Sequence, residues 1–355
     1  MKRVKKAGFA LVLTGVALGL SCMATQVPLQ VMKPATIELP SIHRIAIAEF
    51  SGIDHSGSFA TNVLYDQLAQ RQYFELVERG KIEDVIREQR LSLSGLVSEE
   101  TAKEVGNLLG VDALIYGDVA AYAIEDETGT DKVKERVWTG EYEKDEKGNF
   151  IYEKNLFGKK EKKKKYKEVL TDRDYTIRHG NVTVTFRLVD VESGRVLSAR
   201  THSQSYKSNK ISEGSSRSLP PQDEVLTNLM RDVVVIFVDE VTPHTITVKR
   251  VIEDGPDEIK NGKELAKSGL WQEALEVWQT AVQKYPTNSA AFYNLALAYE
   301  VMGNLNVAEE NYRQALKIKQ SKLYMEALAN IRQAQEEAEI LQRQLRQKEK
   351  DEEEK

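Results

Sequence analysis

Cys22 carries the clearest chemistry in the chain. It is the only cysteine among 355 residues, so no intramolecular disulfide can form. It follows Gly19-Leu20-Ser21 at the end of an uncharged apolar run, Ala7 to Leu20, which is preceded by the basic Met1-Lys2-Arg3-Val4-Lys5-Lys6. A basic start, an apolar middle and a small residue at the cut make a secretory signal peptide. The run is too short for a spanning helix, which needs about twenty apolar residues. A thiol at the first mature position can carry a diacylglycerol, and the amino group freed by cleavage between Ser21 and Cys22 can carry a further acyl chain. The expected product is a lipoprotein held to a membrane through Cys22, with residues 1–21 removed and no other cofactor. Met23 stands where Asp would favour retention at the inner membrane, which points to the outer membrane and its periplasmic face. An ordinary secreted protein with one idle thiol is the alternative.

A second group with chemistry is basic. Lys159, Lys160, Lys162, Lys163, Lys164, Lys165 and Lys167 are interrupted only by Glu161 and Tyr166. Their ammonium groups could hold a membrane surface rich in lipid phosphates. A solvated loop tip is the plainer reading. The five histidines, His43, His55, His179, His202 and His244, show no metal-ligand spacing, and with the one cysteine assigned no metal site is expected. There is no Gly-rich phosphate loop, no Gly-x-Ser-x-Gly elbow and no convincing pair of catalytic carboxylates, so the chain is read as not an enzyme. Net charge is −5, and it becomes more negative once the basic leader is lost, which argues against nucleic acid as a partner.

The elements that would position these groups begin after a proline-spotted stretch, residues 22–41, read as a lipidated N-terminus and linker. Ile42 to Phe50 reads as a buried strand, Phe59, Val63, Leu64 and Leu68 as a helix face, and Phe74 to Val77 as a second strand. Helices follow around Ile82 to Ile86 and from Ser98 to Gly110. Asp112 to Val119 and Asn181 to Val191 are further strands, the latter returning through Glu192-Ser193-Gly194-Arg195 into Val196-Leu197-Ser198-Ala199. Val225, Leu229, Val233, Phe237 and Val241 restore helical spacing. The result is an α+β domain over residues 42–250, a mixed β-sheet flanked by helices, with a charged insertion at 125–178. Within it, Val137 to Tyr142 could pair with Phe150 to Tyr152 across Lys147-Gly148-Asn149.

Residues 255–288 and 289–322 align with a period of 34, the length of a tetratricopeptide repeat. Ala274, Trp278 and Ala281 in the first copy match Ala308, Tyr312 and Ala315 in the second. An all-α tetratricopeptide-repeat solenoid is therefore expected, closed by a capping helix at 323–347 and a charged tail at 348–355. A short coiled coil is the other reading of that last helix. The concave face should be lined by Lys263, Lys267, Tyr293, Asn294, Leu297 and Glu300 and should bind a partner segment. The competing reading has the solenoid packing against its own α+β domain.

Phe74-Glu75-Leu76-Val77-Glu78-Arg79, Leu91-Ser92-Leu93-Ser94-Gly95-Leu96-Val97, Gly106 through Gly117, and Val182 to Ser203 together resemble the CsgG/HfaB family, over about half the chain. That family contains the curli-secretion lipoprotein. The resemblance implies a periplasmic α+β domain, an anchor at Cys22, envelope-protein partners and, in the secretor itself, a homo-oligomeric ring whose subunits each give two hairpins to a transmembrane barrel. A membrane strand needs roughly 9–11 residues alternating apolar and polar. Residues 125–178 carry few outward aromatics, and 203–221 is mostly Ser, Gly, Lys and Pro. The expectation is thus a non-enzymatic, assembly- or secretion-associated outer-membrane lipoprotein that binds protein partners. A secretion channel of the curli-transport type is the alternative.

Overall fold

Period-two burial explains the sheet. Ile45 and Ile47 face one layer while Ala46 and Ala48 face the other, and Ile115 and Leu114 divide in the same way. The computed structural model describes residues 25–77, 107 and 109–353, arranged as two units: Pro34–His244 with Leu341–Lys355, and residues up to Lys33 with Thr245–Ile340. Cys22, the leader, the helices expected between Ile82 and Gly106, and the Leu91 to Val97 stretch lie outside the described residues.

In the first unit, strand β2 (Arg44–Ile47) runs parallel to β3 (Glu75–Leu76) and β4 (Ala113–Tyr142). β4 then pairs antiparallel with β7 (Lys164–Asp190), and β7 with β8 (Val196–Lys207), so the sheet reads β3-β2-β4-β7-β8. Helices α1 (Ser56–Arg71) and α2 (Gln222–Val241) bury Leu64, Leu68, Val233 and Phe237 against Ile45, Ile115, Val184 and Phe186. The α+β reading with a mixed, open sheet matches this architecture. Gly110 takes the left-handed conformation at φ 64.

The second unit opens with β1 (Thr25–Lys33) paired to β10 (His244–Ile252). Four helices follow, α3 (Asp257–Lys267), α4 (Trp271–Lys284), α5 (Ser289–Val301) and α6 (Leu305–Ile318), and then α7 (Lys322–Glu353), which belongs to this unit up to Ile340. Trp278 and Tyr312, one period apart, are both fully buried, and Gly262 lets α3 approach the Trp278 indole, whose Nε1 donates to the Ile259 carbonyl at 3.2 Å.

Three boundaries read from the sequence need correction. Residues 25–33 are not linker but a strand: Val27 and Leu29 point inward, while Pro28 sits on the outward side, where an edge strand tolerates it. β10 belongs with the helical unit rather than with the α+β domain. The stretch 348–353, read as a tail, continues α7.

Candidate functional site

The charged segment 125–178 is not a separate insertion. It is the outward continuation of β4 and β7, which pair from Ala113↔Asp190 to Trp138↔Tyr166 with one register shift, between Val119 and Ala121, and none along the arm from Ala121 outward to Trp138. A strand of 30 residues is about 100 Å long at the usual rise. Beyond residues 179–180, where β8 ends its pairing, the two strands form a ribbon whose one further partner among the described residues is β9 (Ile211–Ser212), beside Tyr175 and Thr176.

Such a ribbon has little apolar burial, and charge stitches it instead. Arg178 grips Asp126 in a two-pronged contact at 2.7 and 2.6 Å, which holds the Asp126 carboxyl below its ordinary pKa. Glu135 pairs with Arg173, Glu141 with Lys165 at 2.9 Å and Glu143 with Lys163 at 2.6 Å. The hydrogen bond that Lys165 donates to Glu141 lowers the Glu141 pKa and raises that of Lys165. Arg178 is mostly covered, whereas the pairs further out are half-exposed or exposed and screened by salt, so the outer ribbon rests on their number.

At the far end the expected pairing changes partner. Trp138 and Tyr142 face Tyr166 and Lys164 rather than Phe150 to Tyr152, although the turn at Lys147-Gly148-Asn149 does form, with Lys144 bridged to Phe150. Tyr152–Lys154 (β5) then pairs with Lys160–Lys162 (β6), making a small hairpin at the tip of the arm. Of the seven lysines singled out, Lys159 is in the tip turn, Lys160 and Lys162 are on β6, Lys163 follows it, and Lys164, Lys165 and Lys167 start β7. The structure gathers them with aromatics: Lys162 lies 4.0 Å over the Phe150 ring, and Lys164 lies 5.2 Å from that of Trp138. Sequence reasoning missed the neighbours that matter most, Leu156 and Phe157. The available signal was an apolar pair inside the turn frame Asn155 to Gly158, bracketed by lysines.

The predicted partner groove is already filled. Asn294, with no exposure, donates from Nδ2 to the Glu253 carbonyl at 2.9 Å and accepts from the Glu253 N–H at 3.0 Å. The Tyr293 hydroxyl donates to the Val251 carbonyl at 3.0 Å, and Arg250 binds Glu300 at 3.0 Å. Lys263 meets Asp254 at 2.7 Å, while Lys267 turns to Glu264 on its own helix. Leu297 is buried with Val27, Leu29 and Ile252 of the two strands. Tyr293, Asn294, Leu297, Glu300 and Lys263 therefore do not await a partner: the end of β10 lies along them as an extended peptide would. This corrects the free-groove reading. Its physical reason is that β1 and β10, a two-stranded ribbon of marginal stability alone, find their apolar cover there.

Above this seam lies a cluster of buried hydroxyls. Tyr312 donates to Glu300 Oε2 at 2.6 Å, and Tyr324 to Glu253. Burial raises the pKa values of Tyr293, Tyr312 and Tyr324 above the ordinary value of about 10. A raised folded value means that the unfolded tyrosines lose their protons first. Stability from this cluster is thus fully present below pH about 10 and falls as pH rises beyond it. Alkaline titration should show late, cooperative tyrosinate absorbance coinciding with loss of helical signal; independent titration near pH 10 without unfolding would contradict the burial.

Among the described residues no group of three His, Cys, Asp or Glu side chains comes together to hold a metal, and no helix is long and apolar enough to cross a membrane.

Residues 43–133 match the family model described as curli production assembly/transport component CsgG, and residues 260–352 match a domain of unknown function, DUF6340. The CsgG match takes in β2, α1 and β3 and ends partway along the arm strand β4. No curated protein sequence matches the chain. Among solved structures, a PelC dodecamer from Paraburkholderia phytofirmans aligns at 13% identity over 61% of this chain and 98% of that one, with a TM-score of 0.26. The lipoprotein GNA1162 from Neisseria meningitidis aligns at 12% identity over 56% and 99%, TM-score 0.29, and the LpoB C-terminal domain from Escherichia coli at 12% over 47% and 84%, TM-score 0.27. Scores this low do not bear on function.

Proposed function

We propose that the chain is a non-enzymatic envelope lipoprotein, acylated at Cys22 and facing the periplasm from the outer membrane, that serves as a scaffold in assembly or secretion. The family match over β2 to β4 is the observation that supports this reading, joined to the leader and cysteine in the sequence. The helical unit reads as two tetratricopeptide repeats with a cap, used as a clamp on the chain's own β1–β10 ribbon. Contact with other envelope proteins then falls to the α+β domain, its arm and the outer surface of the repeats.

Cys22→Ala tests the anchor. Metabolic labelling with palmitate should vanish in the variant. Labelling that persists without the Cys22 thiol would overturn the lipid anchor.

A second reading, a homo-oligomeric secretion channel, draws on one observation: the arm strands are far longer than the roughly 9–11 residues that cross a bilayer. Both faces of the arm are charged, however. Glu127, Asp131 and Glu135 project from one side and Asp126, Lys132, Lys134 and Arg136 from the other, and a Lys or Arg at the midplane costs about 2–4 kcal/mol. The mass of the lipidated protein in detergent separates the two readings: a large closed ring favours the channel, a monomer or small oligomer the scaffold.

A further inference from the structure

Leu156 and Phe157 are the most exposed large apolar side chains in the described chain, at 102% and 95%. Their exposure is built rather than accidental. Asn155 Oδ1 accepts from the backbone N–H groups of Phe157 and Lys159, both at 3.0 Å, the Asn155 N–H donates to the Lys159 carbonyl, and Gly158 takes the left-handed conformation at φ 74. This closed turn holds two greasy side chains out in water at the end of the arm.

The hairpin beneath them is sorted by charge. Register places Lys154 opposite Lys160, Tyr152 opposite Lys162 and Glu153 opposite Glu161. Since side chains alternate, one face carries Tyr152, Lys154, Lys160 and Lys162, and the two carboxylates go to the other. Like charges set directly across a ribbon repel. Glu161 has a partner in Asn155 Nδ2 at 2.8 Å, whereas Lys154, Lys159 and Lys160 face no carboxylate among the described residues. A ribbon that concentrates unpaired cations around an exposed apolar pair departs from what stability alone would select.

We infer that the arm tip docks on an anionic phospholipid bilayer, with Leu156 and Phe157 entering the boundary between headgroups and acyl chains and Lys154, Lys159, Lys160 and Lys162 contacting lipid phosphates. Insertion removes the apolar pair from water, and the phosphates relieve the Lys154–Lys160 repulsion. The charged shaft behind the tip stays in solvent, so this is a contact at one leaflet and not a crossing. The inference goes beyond the scaffold reading and is independent of Cys22.

The full mature chain carrying Cys22→Ala, which has no acyl chain to confuse the result, is mixed with vesicles of phosphatidylcholine alone or with added phosphatidylglycerol. It should sediment with the anionic vesicles only. Leu156→Ser with Phe157→Ser should lower partitioning roughly ten- to a hundredfold, and Lys160→Gln by about fivefold. Both changes lie at exposed positions, and unchanged circular dichroism would verify the fold. Phe157→Trp supplies a direct readout: its added emission should shift to the blue on anionic vesicles and be quenched by brominated acyl chains. Absence of vesicle binding would overturn the inference. So would binding that survives the double serine change, or added emission that stays solvent-like, since either means that lysines adsorb without insertion. Binding to soluble polyanions with equal strength, insensitive to Leu156 and Phe157, would count against a lipid surface as well.

Discussion

Replacing Asn294 with alanine is expected to destabilise the helical unit by about 2–4 kcal/mol, because two peptide groups lose their partners at once. Asn294 is fully buried on α5 and satisfies both the N–H and the carbonyl of Glu253. Each buried backbone group left unpaired costs about 1–3 kcal/mol, and alanine offers neither donor nor acceptor. Asn294→Asp would keep the acceptor for the Glu253 N–H but set a carboxylate oxygen against the Glu253 carbonyl, so it should rescue little. Amide exchange reads the effect locally. Protection at Ile252 and Glu253 and along α5 should fall together, while β7 and β8 keep theirs. If exchange at Glu253 were unchanged in the alanine variant, the strand would not depend on the groove, and a partner peptide could compete for Asn294 after all.

The same seam shows what the sequence could and could not convey. The 34-residue period was legible because packing between neighbouring helices needs small residues and one large one at fixed positions. Ala274, Trp278 and Ala281 meet that need, and Ala308, Tyr312 and Ala315 repeat it, all buried. The occupant of the groove was not legible. Glu253 lies 41 residues before Asn294, and β1 more than two hundred before β10. No periodic signal joins stretches so far apart. Val27 and Leu29 alternate as a strand should, but Pro28 between them and the missing second face made the stretch read as linker.

The arm failed to be read for a different reason. Strand recognition relies on one apolar face, and residues 125–142 bury none; their order comes from pairing across the ribbon, Asp126 with Arg178 and Glu141 with Lys165. In a single sequence such pairs look like ordinary surface charge. Composition did flag the lysines, yet the turn that thrusts Leu156 and Phe157 outward depends on Asn155 and Gly158 acting together, which composition cannot show.

Phe237→Ala should cost the α+β unit about 3–5 kcal/mol, a large part of the 5–15 kcal/mol that typically separates folded from unfolded domains. Phe237 is fully buried on α2, and its ring stacks on Phe186 of β7 with centroids 4.4 Å apart and planes 5° from parallel. Phe186 in turn meets Phe50 edge-on at 5.6 Å and sits opposite Gly117 in the β4–β7 pairing. These rings therefore pack against the root of the arm. Removing the Phe237 ring leaves a hole behind the strand that must hold the arm in register, and the rigid sheet can collapse only partly into it. Phe237→Leu, which refills most of that space, should cost much less. Urea unfolding of the two variants, followed by exchange at Phe186 and Leu188, tests this. Similar midpoints for alanine and leucine would mean that the site relaxes freely and that the arm's register is set elsewhere, by the ion pairs along its length.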